Sequence, residues 1–168
     1  MAERTVLVVD DDPAVCEVAA RVLRRAGYSV VTASDGQRAL EILKQRPVQL
    51  VISDQQMPGM SGIELLRVIR VRHPKVVRVM LTGDSDPETA VRSINEGEVY
   101  RFLRKPWTNS DLKAVADFGF KAFAEGEERH KLAAEGLRQQ QARGEGPPDP
   151  ADKDAEVQLL AEGETPEK

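Results

Sequence analysis

Cysteine is almost missing from this chain: Cys16 stands alone among 168 residues. No disulfide can close within the chain, which fits a reducing compartment, and Cys16 reads as a packing residue on the first helix. Aromatic side chains make up only 4% of the sequence, so any core must be mainly aliphatic. Long apolar runs are missing too. None approaches the ~20 residues that a bilayer-spanning helix needs, so no membrane insertion is expected. Met1-Ala2-Glu3-Arg4 leads straight into a strand without the pattern of a signal peptide, and the expected location is the cytoplasm.

The net charge of −4 is unevenly spread. From Met1 to Arg143 there are 22 basic and 20 acidic residues, a surplus of +2, whereas Gly144 to Lys168 holds 2 and 8, a deficit of −6. A near-neutral body without a concentrated basic stripe gives no electrostatic case for nucleic acid. The acidic end, opening with Gly-Glu-Gly-Pro-Pro-Asp-Pro, has the composition of disorder. The expected organisation is one domain over 4–124, a helical extension over 125–143 and an acidic tail over 144–168.

What the chain does contain is a repeated strand–helix pattern. Thr5-Val6-Leu7-Val8-Val9 is a continuous aliphatic run of the kind found in strands buried on both faces. Asp10-Asp11-Asp12-Pro13 follows at once. Asp12 before Pro13 predicts a helix start, with an N-cap carboxylate and then a proline whose missing N–H costs nothing at the first helical position. Val15, Val18, Ala19, Val22 and Leu23 recur at helical spacing, and Gly27 ends the run. A second strand covers Tyr28 to Ala33, and a short helix carries Ala39, Leu40, Ile42 and Leu43 as far as Pro47. Leu50-Val51-Ile52-Ser53 is a third strand, ending in Asp54 and a turn-rich stretch. Ile63, Leu66 and Ile69 stripe a third helix closed by Arg72-His73-Pro74. Val76 to Leu81 is a fourth strand and ends in Thr82-Gly83. A helix from Pro87 to Gly97 carries Ala90, Val91 and Ile94, and Val99 to Leu103 is a fifth strand leading into Arg104-Lys105-Pro106-Trp107. The last helix starts near Asn109 or Ser110. Five such units in about 120 residues predict an α/β fold of (βα)5 type: a doubly wound, five-stranded parallel sheet covered on both faces.

The polar residues of interest share one topological position, the carboxyl ends of strands. Strand one delivers Asp10 and Asp11, strand three Asp54, strand four Thr82 and strand five Lys105. In a sheet of order 2-1-3-4-5, strands one and three flank the switch point where ligands lodge. Three carboxylates there repel one another, and each tends to hold a proton. A divalent cation relieves this, and an oxygen-only ligand set suits Mg²⁺ rather than zinc. A carboxylate beside such a cation can accept a phosphoryl group as an aspartyl-phosphate. That chemistry needs positioning and cancellation of charge on the phosphoryl oxygens. Mg²⁺, the Lys105 ammonium and the Thr82 hydroxyl would supply both.

At these residues the chain resembles the response-regulator receiver domain of two-component systems, over about Arg4 to Phe123. The resemblance is carried by Val8-Val9-Asp10-Asp11-Asp12-Pro13, by Asp54-Gln55-Gln56-Met57-Pro58-Gly59-Met60-Ser61-Gly62, by Met80-Leu81-Thr82-Gly83 and by Lys105-Pro106-Trp107. It implies a flavodoxin-like sheet with Asp54 as phospho-acceptor. Asp11 would ligate Mg²⁺ directly and Asp10 through its water shell, with Asp54 and the Gln56 backbone carbonyl as the other protein ligands. Thr82 would be the switch hydroxyl, Lys105 the phosphate-contacting cation and Phe102 the aromatic that moves inward on activation. The resemblance also implies a cis Lys105–Pro106 peptide, and it makes Gln56 and Asp84 the positions that tune phosphoryl lifetime. The stretch from Asn95 to Trp107 is most similar to receivers joined to regulatory or cyclic-dinucleotide enzyme outputs, and no such module is visible after it.

The implied donor is a phosphohistidine on a histidine kinase or a histidine phosphotransfer protein. The chain's own histidines are His73, which precedes a proline, and His130, which lies among charges. Neither has the setting of a phosphorylated histidine and no glycine-rich nucleotide loop is present, so self-phosphorylation from ATP is not expected. The donor should dock on the first helix and the loop after Lys105, with Val15, Val18 and Trp107 as candidate contacts. The face of the fourth helix, fifth strand and fifth helix is the expected output surface for a downstream protein, and a candidate homodimer face.

Leu112, Val115, Phe118, Gly119, Ala122 and Phe123 are expected to cover the sheet. Leu132, Ala133 and Leu137 continue a thin apolar stripe, against which Gly126 and Gly136 each cost roughly 1 kcal/mol in a helix. The overall expectation is a stand-alone receiver: no enzyme in the ordinary sense, with at most self-catalysed phosphotransfer and dephosphorylation. Two alternatives stand beside it. One is a haloacid-dehalogenase-type phosphatase built on Asp10 and Asp12, which would leave Asp54 without a role. The other is an adaptor that works without phosphorylation.

Overall fold

The computed structural model describes residues 3–83, 88, 92, 95 and 99–144. Five strands, β1 (Thr5–Val9), β2 (Ser29–Ala33), β3 (Leu50–Asp54), β4 (Val77–Thr82) and β5 (Arg101–Arg104), form one sheet. All pairings are parallel, in the expected order β2-β1-β3-β4-β5. Helices α1 (Pro13–Arg25), α2 (Gly36–Gln45) and α3 (Gly62–Arg72) connect the first four strands, and a C-terminal helix runs over Asn109–Ala142. The helix expected between β4 and β5 lies mostly outside the described residues, as does Asp84; Glu88, Arg92 and Asn95 are helical. Among the described residues no helix is long and apolar enough to cross a membrane.

Side chains on successive strand residues point to opposite faces, and here both faces are buried. Val6, Val8, Leu50, Ile52, Val79 and Leu81 pack with Leu23 of α1 and Leu112 of the C-terminal helix. Leu7, Val9, Val51 and Met80 pack on the other face with Leu40 of α2 and Leu65 of α3. Each such side chain contributes about 1.5–3 kcal/mol when fully removed from water. The unbroken apolar runs of the strands follow from this double burial, since a strand covered on both faces has no polar side to alternate with.

Local chemistry sets the helix ends. The Asp12 side chain accepts from the Ala14 N–H with Pro13 in the first turn, and Gly27 leaves α1 with φ of 92°. On α3, Ser61 and Glu64 form a reciprocal capping box.

The chain divides between Glu127 and Glu128 into two units; the first carries the sheet, and the described start of the second is helical through Ala142. The C-terminal helix buries Leu112, Val115, Ala116, Gly119 and Phe120. Here the expected stripe needs correcting: Phe118 is 46% exposed and Phe120 takes the buried place. At 3.6 residues per turn, 112, 116, 119 and 120 share a stripe and 118 falls on its flank. There the Arg101 guanidinium lies 4.5 Å from the Phe118 ring centre. Gly119 lets the helix approach β3 closely, since a Cβ there would sit 2.9 Å from Leu50 Cδ1. The helix continues through both Gly126 and Gly136.

Tyr28 ties this helix to β2 and the N-terminus. Its ring stacks on Phe120 with centres 4.6 Å apart, and the Arg4 guanidinium lies 4.9 Å from the Tyr28 ring centre. Its hydroxyl donates to Asp117, which also accepts from Lys113 Nζ at 2.7 Å. Burial, followed by the hydrogen bond and charge of Asp117, pushes the phenol up to about 12. The folded chain therefore binds this proton more tightly than the unfolded chain. The contribution of the neutral phenol to stability is complete below pH 10 and is lost as pH rises through about 12. In a pH-jump titration followed by phenolate absorbance, one tyrosine should ionise at about 12, and that step should vanish in Tyr28→Phe. A native titration with no such delayed step would contradict this.

Candidate functional site

Parallel register builds the site. Val9 pairs with Ser53 and each is followed by an aspartate, so Asp10 and Asp54 leave neighbouring strands side by side. Asp54 pairs with Leu81 and Thr82 with Arg104, which brings Thr82 and Lys105 to the same rim. Alternation then sorts these residues by face. Asp10 follows the phase of Val6 and Val8, Asp54 that of Leu50 and Ile52, and Lys105 that of Leu103, all on the face of α1 and the C-terminal helix. Thr82 follows the phase of Met80, which pairs with Phe102, and these belong to the face of α2 and α3.

On the first face the charged groups meet. Lys105 Nζ lies 3.0 Å from Asp54 Oδ1 and 3.2 Å from Asp10 Oδ2. Asp10, Asp11 and Asp54 each offer a carboxylate oxygen, and these oxygens lie within 4.8 Å of one another. Asp10 and Asp54 are buried whereas Asp11 is exposed. Asp10 is tightly held: Oδ1 accepts from the Asp12 N–H at 2.9 Å, its own N–H donates to the Ala33 carbonyl at 3.2 Å, and the Cys16 thiol donates to its carbonyl at 3.4 Å. Cys16 is buried, and burial, with the charge of Asp10, pushes its thiol upward, away from the reactive thiolate.

Burial raises the Asp10 carboxyl above the ordinary range; the Asp12 N–H opposes this and the charge of Asp54 adds to it. Burial pulls Lys105 down, but the hydrogen bond to Asp54 and the charges of Asp10 and Asp54 outweigh it, so the ammonium is held above its usual value. One ammonium among three carboxylates leaves an excess of negative charge. The donors are oxygens only, a set that fits a hard divalent cation such as Mg²⁺ and not a soft one.

The structure thus brings together Asp10, Asp11, Asp54 and Lys105. Thr82 is at the rim, but its hydroxyl donates to the Gly83 carbonyl at 2.8 Å. Phe102 is half-buried on the opposite face. Gln56 is exposed on the loop after β3. The Lys105–Pro106 peptide is cis. Two residues that sequence reasoning does not single out also shape this loop. A Cβ on Gly62 would sit 2.2 Å from the Asp54 carbonyl oxygen, so only glycine lets α3 begin this close to β3. The Gln55 side-chain oxygen accepts from the Ile63 N–H at 2.9 Å. The Ser61-x-x-Glu64 capping-box spacing marks the start of α3, and a glycine just inside it is the available signal for the first of these.

A parallel sheet of this order with an acidic pocket at the ends of β1 and β3 defines a CheY-like domain. The family model for the response regulator receiver domain matches residues 6–117. The chain belongs to that family, whose members take a phosphoryl group from histidine kinases and bind Mg²⁺ at an acidic pocket. Among curated proteins, it is 36% identical over 110 residues to the hydrogenase transcriptional regulatory protein HoxA of Cupriavidus necator, covering 66% of this chain and 23% of that protein. The chain spans about a quarter of the length of such curated relatives. Among solved structures, it matches one titled adenylate cyclase from Rhodopirellula baltica with a TM-score of 0.75 and 36% identity, over 79% of this chain and 98% of that one. A response regulator receiver domain protein of Clostridium thermocellum matches with a TM-score of 0.65 and 31% identity, over 77% and 98% of the two chains. Family membership removes the ground for the dehalogenase-type alternative.

A cation that binds the folded acid cluster and not the unfolded chain must stabilise the fold. At tenfold its dissociation constant Mg²⁺ should add about 1.4 kcal/mol, read as a rise in thermal midpoint. The rise should disappear when Asp10 and Asp11 are both changed to Asn. An equal rise in that variant would move the cation elsewhere.

Proposed function

We propose that this chain is a phosphorylation-switched response regulator in which Asp54 accepts a phosphoryl group from a phosphohistidine on a histidine kinase or phosphotransfer protein, and which signals through protein contacts. The receiver would occupy 4–124, followed by a helical extension over 125–143 and an acidic tail over 144–168. The observation that carries this reading is the meeting of the Asp10, Asp11 and Asp54 carboxylates with the Lys105 ammonium at one rim of the sheet.

In the transfer, one Asp54 carboxylate oxygen forms a bond to phosphorus as the bond from phosphorus to the donor imidazole nitrogen breaks. The electron pair stays on that nitrogen, which takes up a proton. Lys105 already touches the acceptor carboxylate and presents its positive charge where the phosphoryl oxygens arrive. Mg²⁺, held by Asp10, Asp11, Asp54 and the Gln56 backbone carbonyl, supplies further positive charge against those oxygens when bound. With so little covalent work for the protein, positioning and charge cancellation are the whole contribution. For the switch, the Thr82 hydroxyl exchanges the Gly83 carbonyl for a phosphoryl oxygen. Phe102, on the same face as Thr82, then fills the vacated space. The two packings pre-exist as a population, which the phosphoryl group shifts only through its different contacts in each.

A groove of about 570 Å³ opens beside Lys105, lined by Ala14, Val15, Val18, Pro106 and Trp107. Val18 is 44% exposed, so this valine of α1 is available to a partner. The donor's phosphohistidine must reach Asp54 from the neighbouring rim, and the groove is the apolar seat beside it. Tyr100, just before β5, and Phe118, on the C-terminal helix, are exposed aromatics suited to the downstream protein or a second copy.

Incubation with acetyl phosphate and Mg²⁺ should give one base-labile phosphoryl adduct that is lost in Asp54→Ala; an adduct that persists there overturns the reading. Val18→Asp should slow transfer from a phosphorylated cognate kinase by about tenfold or more, as for a buried interface contact, and leave labelling by acetyl phosphate unchanged. Equal loss with both donors would show that the change acts on the site and not on docking.

A further inference from the structure

Gln55 sits between the acceptor and the loop carbonyl, and three of its groups are committed to fixed backbone. Its N–H donates to the Leu81 carbonyl on β4 at 3.1 Å, and its carbonyl accepts from the Gly62 N–H at 3.0 Å. Its side-chain oxygen accepts from the Ile63 N–H at 2.9 Å. Helix N-termini leave their first amides without intrahelical partners. In α3, Gln55 satisfies the first two and the Ser61 hydroxyl takes the third, from Glu64, at 3.3 Å. The turn from Gln55 to Gly62 is therefore closed on a single residue. Its ends cannot separate without breaking the side-chain bond, and α3 cannot slide closer because Gly62 already lies against the Asp54 carbonyl.

This closure has an electrostatic side. The N-terminus of a helix attracts carboxylates through its free N–H groups. Glu64 is the acid of the first turn of α3 and accepts from the Ser61 N–H at 2.9 Å, while the Asp54 carbonyl abuts the turn. With the Gln55 oxygen on the Ile63 amide, the first turn of α3 is satisfied without the Asp54 carboxylate, which is held by Lys105.

We infer that Gln55 is a positioning residue: its side-chain oxygen locks the turn after β3, holding the Gln56 carbonyl in place for a divalent cation. This rests on the reading of the site as a cation-assisted phospho-acceptor. Removing a group that orients a metal ligand typically weakens binding by 10–100-fold, and with one ligand of several affected the lower end applies.

The test uses the whole chain with Gln55→Met, which keeps length and removes the acceptor, and Gln55→Glu, which keeps an acceptor oxygen. Mn²⁺ binding, followed by the loss of the free-ion paramagnetic signal, should weaken about tenfold in Gln55→Met and not in Gln55→Glu. Hydrogen exchange at the Ile63 amide should quicken in the first variant alone. Labelling by acetyl phosphate in Gln55→Met should need more metal but return to the wild-type rate at saturation, a split that general loss of stability would not produce. Unchanged Mn²⁺ affinity in Gln55→Met, or equal weakening in Gln55→Glu, overturns the inference and leaves the site intact. Failure of the unmodified chain to bind Mn²⁺ overturns the inference and the site reading together.

Discussion

The Lys105 ammonium between Asp10 and Asp54 is the contact on which the rim of this sheet depends. Two buried carboxylates on adjacent strands are a standing repulsion, and burial, with the charge of Asp54, raises the Asp10 carboxyl. A cation 3.0 and 3.2 Å from their oxygens offsets part of that repulsion. The cation comes from β5, separated from β3 by β4, so one pair of contacts ties the ends of β1, β3 and β5 together. The Lys105 N–H, which donates to the Thr82 carbonyl at 2.8 Å, carries the ladder one residue further and fixes the side chain's origin. Breaking such a pair by removing the lysine would leave uncompensated buried charge, the costly case for ionic groups out of water.

The sheet supplies the precision this contact needs. Parallel strands in register deliver their next residues at a common level, and two-residue alternation assigns each to a face. Acids and ammonium thus share the face of α1 and the C-terminal helix, while Thr82 and Phe102 share the other. The double apolar cover makes the register hard to slip, since a shift of one residue would turn every side chain over. Rigid placement at the rim follows from this construction.

Much of this was legible in the residues themselves. Apolar runs of five ended by acids or turn formers locate the strands. Asp12-Pro13 locates a helix start, and the charges gather because strand ends gather. Other features were hidden for physical reasons. The place of Phe120 over Phe118 depends on helix phase, which an approximate stripe does not resolve when both neighbours are aromatic. The present partner of the Thr82 hydroxyl is a rotamer choice. The Gln55 bond to Ile63 joins residues eight apart across an irregular turn, where no periodicity applies.

The sorting of the rim onto two faces keeps the charged groups apart from the hydroxyl and the aromatic that the proposed function sets in motion. On the proposed reading, a donor resting against Val18 and Trp107 would cover the flank where the charges lie and not the one on which Thr82 and Phe102 sit. The sheet would then stand between the charges that take the phosphoryl group and the two side chains that answer it.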